Sequence, residues 1–267
     1  MMSILLPLYV YPSPGAWDPL YAAAKAHRDV SFTVVLNPCS GPCMGSLPDS
    51  VYMTEVPKLS QYPNIRTLGY VATHYATKPV ESLLAEIDTY SSWPRLTNST
   101  RMRVDGIFLD ETPSTFNPAS YTYLERANHA IKNRSTTFKN GFVAHNPGLI
   151  PPVDLTAPGY LSDSYFNLTD LTVVFEETFE KYLDKDTMTP LAQAKVPNSK
   201  MGVILHSVPR LNQDVLSYVV AKVEEAADWV FLTSGIEGNG YHDFSDVWQG
   251  LVAAVGKGRG VGTGWKA

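Results

Sequence analysis

Cysteine is nearly absent from this 267-residue chain, which has only Cys39 and Cys43. A framework of several disulfides is therefore excluded, and at this length a hydrophobic core can be buried without one. Long apolar runs are missing too. No stretch approaches the roughly 20 residues that a membrane-spanning helix needs. Positive charge is in deficit, with 21 Lys and Arg against 26 Asp and Glu, a formal net charge of -5 and no basic run. That composition argues against a nucleic acid as partner, because phosphate binding relies on clustered cations. No Gly-x-Gly-x-x-Gly follows the first apolar segment, so nothing there cradles a dinucleotide. Ser207 has no Gly-x-Ser-x-Gly elbow around it, which disfavours a serine hydrolase. Neither His-x-His nor His-Glu-x-x-His occurs, so no compact metal signature is present. The start, Met1-Met2-Ser3-Ile4-Leu5-Leu6, runs into Pro7 with no positive n-region and no cleavage site, and does not read as a signal peptide.

The compartment is read from other features. Asn98, Asn133 and Asn167 each head an Asn-x-Ser/Thr sequon, which suits a eukaryotic secretory protein. Gly41 and Pro42 between the two cysteines favour a tight loop that could bring the sulfurs together. A local Cys39/Cys43 disulfide would fit an oxidising compartment, and two free thiols are the alternative. The expectation is a secreted or wall-associated protein whose signal or anchor segment is not in this chain.

What the chain does have is alternation. Continuous apolar, β-branched runs at 4–10, 32–36, 67–71, 106–109, 141–144, 171–175, 202–205 and 229–232 read as strands. Helical patterns at 19–27, 51–62, 80–92, 119–134, 178–183, 212–227 and 244–255 lie between and after them. Asp18-Pro19 supplies a capping residue and a first-turn proline. Leu211, Val215, Leu216, Val219, Val220 and Val223 recur at helical spacing. Strands without polar alternation belong to a parallel sheet covered on both faces. Eight of them alternating with helices predict an α/β fold, a single (β/α)8 TIM barrel over about 4–255, in one domain spanning 1–267 with a Gly-rich C-terminal tail. An open doubly wound sheet is the weaker candidate.

In such a barrel the active site gathers at the C-terminal strand ends. Here these ends carry Tyr9 and Tyr11, Asn37, Tyr70, Asp110-Glu111, His145-Asn146, Glu176-Glu177 and His206. Two ends offer paired carboxylates. Glycoside hydrolysis needs two carboxyl groups flanking the bond, and tyrosine rings stack on sugar faces while their hydroxyls bond to sugar hydroxyls. Neighbouring strand residues point opposite ways, so one member of each pair is expected to reach the pocket. Each carboxylate could instead cap a turn or complement a helix start. Asp110, Glu111, Glu176, His145 and His206 could alternatively surround a divalent ion in a metal-dependent hydrolase.

Several segments together carry a family resemblance. They are Leu5-Leu6-Pro7-Leu8-Tyr9-Val10-Tyr11-Pro12, Val35-Leu36-Asn37-Pro38 with Ser40-Gly41-Pro42, Gly69-Tyr70-Val71-Ala72-Thr73, Asp105-Gly106-Ile107-Phe108-Leu109-Asp110-Glu111 and Asn146-Pro147-Gly148. In that order they resemble the spherulin-4 family, also called spherulation-specific family 4, which includes fungal glycoside hydrolase family 135. The resemblance implies a (β/α)8 barrel with no cofactor and no metal. It implies endo-hydrolysis of α-1,4-linked N-acetylgalactosamine or galactosamine regions of galactosaminogalactan, a fungal wall and biofilm polysaccharide. The family's acidic triad would fall on Asp110, Glu111 and Glu176, with Glu177 as the substitute for the third. Tyr9, Tyr11, Asn37, Tyr70, His145, Asn146, Glu177 and His206 would contact the sugar. The partner is then a polysaccharide, and a monomer is expected. The competing class is a non-catalytic carbohydrate-binding wall protein on the same barrel. The sequence leaves open which carboxylate is the acid, and whether the mechanism is retaining, inverting or assisted by the substrate's own N-acetyl group.

Overall fold

The computed structural model describes residues 2–134, 137–139, 141–149, 164–184, 189–190, 196–236 and 240–257. Eight parallel strands close into a barrel in sequence order: β1 (Ser3–Leu8), β2 (Phe32–Leu36), β3 (Ile65–Ala72), β4 (Gly106–Asp110), β5 (Phe142–Asn146), β6 (Leu171–Thr178), β7 (Met201–His206) and β8 (Trp229–Leu232). Closure is made where Ser3 and Ile4 pair with Trp229 and Val230. The expected barrel is therefore present. Helices α1 (Asp18–Ala26), α2 (Ser50–Leu59), α3 (Val80–Leu96), α4 (Pro118–Lys132), α5 (Phe179–Tyr182), α6 (Gln213–Glu224) and α7 (Trp248–Lys257) lie between the strands and after the last. Strand β2 is buried at all five positions, as a strand covered on both faces requires.

Helix starts follow local chemistry. The Asn117 side chain accepts from the backbone N–H groups of Ala119 and Ser120, and Pro118 occupies the first turn of α4. Asp49 caps α2 in the same way. On α6, Leu216, Val219, Val220 and Val223 are buried. Val215, expected on that face, is 42% exposed. The face is narrower than the spacing of apolar residues suggested. The final helix begins at Trp248 rather than 244. Most of the expected Gly-rich tail, from 258 onward, lies outside the described residues.

Two strands run further than their apolar content. Strand β3 extends to Ala72, and β6 continues through Glu176, Glu177 and Thr178. The register of β6 on β7 shifts between Val173 and Phe175, a one-residue irregularity that re-aims the side chains beyond it. Strands β4 and β5 approach very closely at Gly106. A Cβ there would lie 2.0 Å from the Phe142 carbonyl oxygen.

Candidate active site

Three strand ends converge on one amide. Asn146, the last residue of β5, donates through Nδ2 to Asp110 Oδ1 at 2.8 Å and to Glu176 Oε2 at 2.7 Å. Its Oδ1 accepts from Gly148 N at 3.0 Å, which fixes the orientation of the amide. Those two distances cap the separation of the two carboxylate oxygens at 5.5 Å. Each carboxylate also takes one phenol. Tyr70, on β3, bonds to Asp110, and Tyr241 Oη donates to Glu176 Oε1. Tyr9 stands edge-on between the two phenols, its ring centroid 5.7 Å from that of Tyr70 and 5.6 Å from that of Tyr241. Burial pushes the Asp110 carboxyl up to about 6; the Tyr70 bond opposes this and the charge of Glu176 adds to it. The Tyr9 and Tyr70 phenols are both raised, by burial first and by Asp110 second.

Tyr241 lies beyond the eighth apolar run at 229–232 and is not among the strand-end residues the sequence offers. Beyond that run, Gly235 and Gly240 come close together. A Cβ on Gly235 would lie 2.4 Å from Gly240 Cα, and Thr233 Oγ1 donates to the Gly240 carbonyl at 3.0 Å. This close approach of Gly235 and Gly240 precedes Tyr241, whose hydroxyl reaches Glu176. The usable signal was a glycine-dense stretch ending in an aromatic residue at a strand end. Tyr241→Phe keeps the ring and removes the donor. Loss of a bond to a charged group is worth about 1.5–3 kcal/mol, so if this carboxylate pair turns over a substrate, kcat should fall roughly 10- to 100-fold with little change in KM. Steady-state kinetics of the variant check this, and a larger effect on KM than on kcat would refute it.

Glu111 departs from its neighbour. It sits at φ 52°, in the left-handed region, and its Oε2 lies 2.6 Å from His74 Nδ1 at the solvent edge. Its carbonyl accepts from Thr73 Oγ1 at 2.7 Å and from Tyr75 N at 2.7 Å. His74, Tyr75 and Ala76 form a run of left-handed residues, with φ of 49°, 56° and 64°. Each costs about 1–2 kcal/mol for a non-glycine residue. Glu111 thus clamps the loop after β3, while Asp110 faces the shared amide.

The remaining expected residues divide. Glu176, Glu177, His206 and Tyr241 line one cavity of about 290 Å³, together with Gly148 and Ile236. Glu177 pairs with Lys181, and His206 Nδ1 lies 3.0 Å from Ser207 Oγ. Tyr11 is placed away from the amide, its hydroxyl donating to Asp49 at 3.1 Å and its ring edge-on to Tyr52. Asn37 Oδ1 accepts from Gly41 N at 3.0 Å and so braces the loop closed by the Cys39–Cys43 disulfide, which is formed. His145 requires a correction, because it does not reach the mouth. Alternation along β5 turns it away from the side Asn146 faces, into a small cavity with Thr112, Pro113, Pro147, Tyr165, Phe166 and Thr172. Burial there pushes its imidazole down to about 3. No group of three or more His, Cys, Asp or Glu able to hold a metal occurs among the described residues. Asn98, Asn133 and Asn167 are all exposed.

Comparison with known proteins agrees with this architecture. The sequence profile of the family described as spherulation-specific family 4 matches residues 3–255. Spherulin-4 of Physarum polycephalum is 37% identical over 177 residues, 66% of this chain and 45% of that protein, so the match spans less than half of the relative. The crystal structure of Aspergillus clavatus Sph3 in complex with GalNAc superposes with a TM-score of 0.87. It is 36% identical and covers 96% of this chain and 97% of its own. An endo-β-N-acetylglucosaminidase from Cordyceps militaris shares the fold alone, at a TM-score of 0.51 and 12% identity over 85% of this chain and 81% of its own. With the profile running from the first strand into the last helix, over a barrel that closes as Sph3 does, the chain belongs to spherulation-specific family 4.

Proposed function

We propose that the protein is an endo-acting glycoside hydrolase that cleaves α-1,4-linked N-acetylgalactosamine or galactosamine regions of galactosaminogalactan. The observation that carries this reading is the pair Asp110 and Glu176 held on the two hydrogens of the Asn146 amide. Two carboxyl groups flanking one bond are what acid-assisted glycoside cleavage needs. The substrate class is supported by the likeness to Sph3, whose structure contains GalNAc. Export from the cell is supported by the Cys39–Cys43 disulfide and the three exposed sequon asparagines.

The roles follow from the local environment. Asp110, whose burial raises it to about 6, holds a proton into the weakly acidic range and donates it to the leaving oxygen. Glu176, whose negative charge contributes to that shift, attacks the anomeric carbon. Bonded oxygens at most 5.5 Å apart support a retaining enzyme, with roughly 5–5.5 Å between its carboxyl groups, over an inverting one at about 6.5–9.5 Å. In the second half-reaction Asp110, now ionised, activates a water that releases the sugar from Glu176. Glu111 supports the site by fixing the loop that flanks it. Tyr9, Tyr70 and His206 stand where they can contact sugar hydroxyls.

Incubation with galactosaminogalactan, with chitin as control, should release oligosaccharides identifiable by mass. Proton NMR of the earliest products should show the α-anomer. Absence of products at every pH would overturn the enzyme reading. A β-anomer as first product would overturn the double displacement alone.

A further inference from the structure

We propose that the left-handed turn formed by His74, Tyr75 and Ala76 is a built platform that lays the Tyr75 ring against the face of a pyranose unit flanking the cleaved bond. The inference deepens the glycosidase reading and rests on it. Glycine is the residue that adopts a left-handed conformation without steric cost, yet none of the three positions is glycine. The conformation is instead imposed from outside. Thr73 N and Oγ1 donate to the Asp110 and Glu111 carbonyls, Tyr75 N donates to the Glu111 carbonyl, and His74 Nδ1 meets the Glu111 carboxylate. Thr77 N and Lys78 N close the turn back onto His74 and Thr73. Every one of those contacts ties the turn to itself or to the acidic end of β4. Strain that its surroundings over-determine is a mark of functional placement.

The clamp keeps a large aromatic side chain out in the open. Tyr75 is 64% exposed although its backbone is bonded to the residue next to Asp110. An exposed aromatic ring on a backbone bonded to the residue beside Asp110 suits a ligand with an apolar C–H face and a polar rim, which describes a sugar ring in a polymer. The platform would grip the polysaccharide beside the reacting unit, and its contribution would be to binding.

The test is chain-length-dependent kinetics on galactosaminogalactan oligomers. Tyr75→Ala should raise KM about five- to tenfold, more for longer oligomers, and Tyr75→Trp should restore it to within twofold. His74→Ala should raise KM in the Tyr75 background and add little in the Tyr75→Ala background, since both changes remove the same contact. In parallel, Asp110→Asn protein should be retarded in gels containing the polysaccharide, and adding Tyr75→Ala should weaken that retardation. If the parent protein cleaves or is retarded while Tyr75→Ala changes neither KM nor retardation, the platform is wrong and the glycosidase stands. If the parent neither cleaves nor is retarded by any wall polysaccharide, the glycosidase reading and the platform both fall.

Discussion

Replacing either Asp110 or Glu176 by its amide should lower kcat by about 10²–10⁴-fold while leaving the barrel folded. Azide separates the two roles. With Glu176→Ala, azide can take the place of the missing nucleophile and give a β-glycosyl azide. With Asp110→Ala, azide intercepts the glycosyl-enzyme and gives the α-product. The reverse pairing of variant and anomer would exchange the roles. The wild-type rate should fall as pH rises through about 6, because the proton that Asp110 must donate is lost there. The same shift has a stability consequence. Asp110 is raised from 3.8 to about 6 in the folded protein, so its ionisation opposes folding once pH passes through that window. Asp110→Asn removes the burden. It should be more stable than wild type by about 2–3 kcal/mol at pH 7.5, with the gain vanishing by pH 4. Thermal unfolding of both proteins across that range checks the sign, and a gain that persists at pH 4 would argue against desolvation of Asp110 as its source.

Gly106→Ala should be the most damaging methyl addition among the described glycines. The added Cβ would meet the Phe142 carbonyl at 2.0 Å, and that oxygen belongs to backbone that cannot rotate away. Strands β4 and β5 would have to separate at their first pair, Gly106 and Phe142, on the same two strands that end at Asp110 and Asn146. A cost of about 3 kcal/mol or more is expected, lowering Tm by roughly 6–12 °C for a domain of this size. Activity should fall further than the loss of folded protein explains, because the amide and its first carboxylate sit on the two displaced strands. Differential scanning calorimetry paired with specific activity below the transition tests both parts. A variant with wild-type Tm would show that the strands can relax around the methyl.

The barrel was legible because strands buried on both faces must be apolar, and the eight such runs stand in the observed order. The position of Asp110 and Glu176 near strand ends is legible because carboxylates ending apolar runs stand out. Three features were hidden for physical reasons. The irregularity between Val173 and Phe175 cannot be seen in a run of apolar residues, so the preference for Glu176 over Glu177 rests only on its being the first acid after that run. His145 was credited to the mouth although strict alternation with Asn146 already argued that only one of them could face inward. Tyr241 follows a close approach of Gly235 and Gly240, a contact that periodicity does not encode. Glu111 reads as half of an acidic pair, and its positive φ and its bonds to the β3 loop are a tie that the sequence does not reveal.

The amide of Asn146 carries one more implication, for the lifetime of the molecule. Asparagine side chains age by attack of the following backbone nitrogen on the amide, forming a cyclic imide that opens to aspartate. At Asn146 that outcome would place a third carboxylate between two others. The following residue is Pro147, whose nitrogen has no hydrogen to lose, so the cyclisation is blocked at its first step. Asn37-Pro38, beside the disulfide loop, has the same protection. The one amide whose chemical identity sets the charge balance of the pair is thereby shielded by its neighbour from slow conversion into an acid.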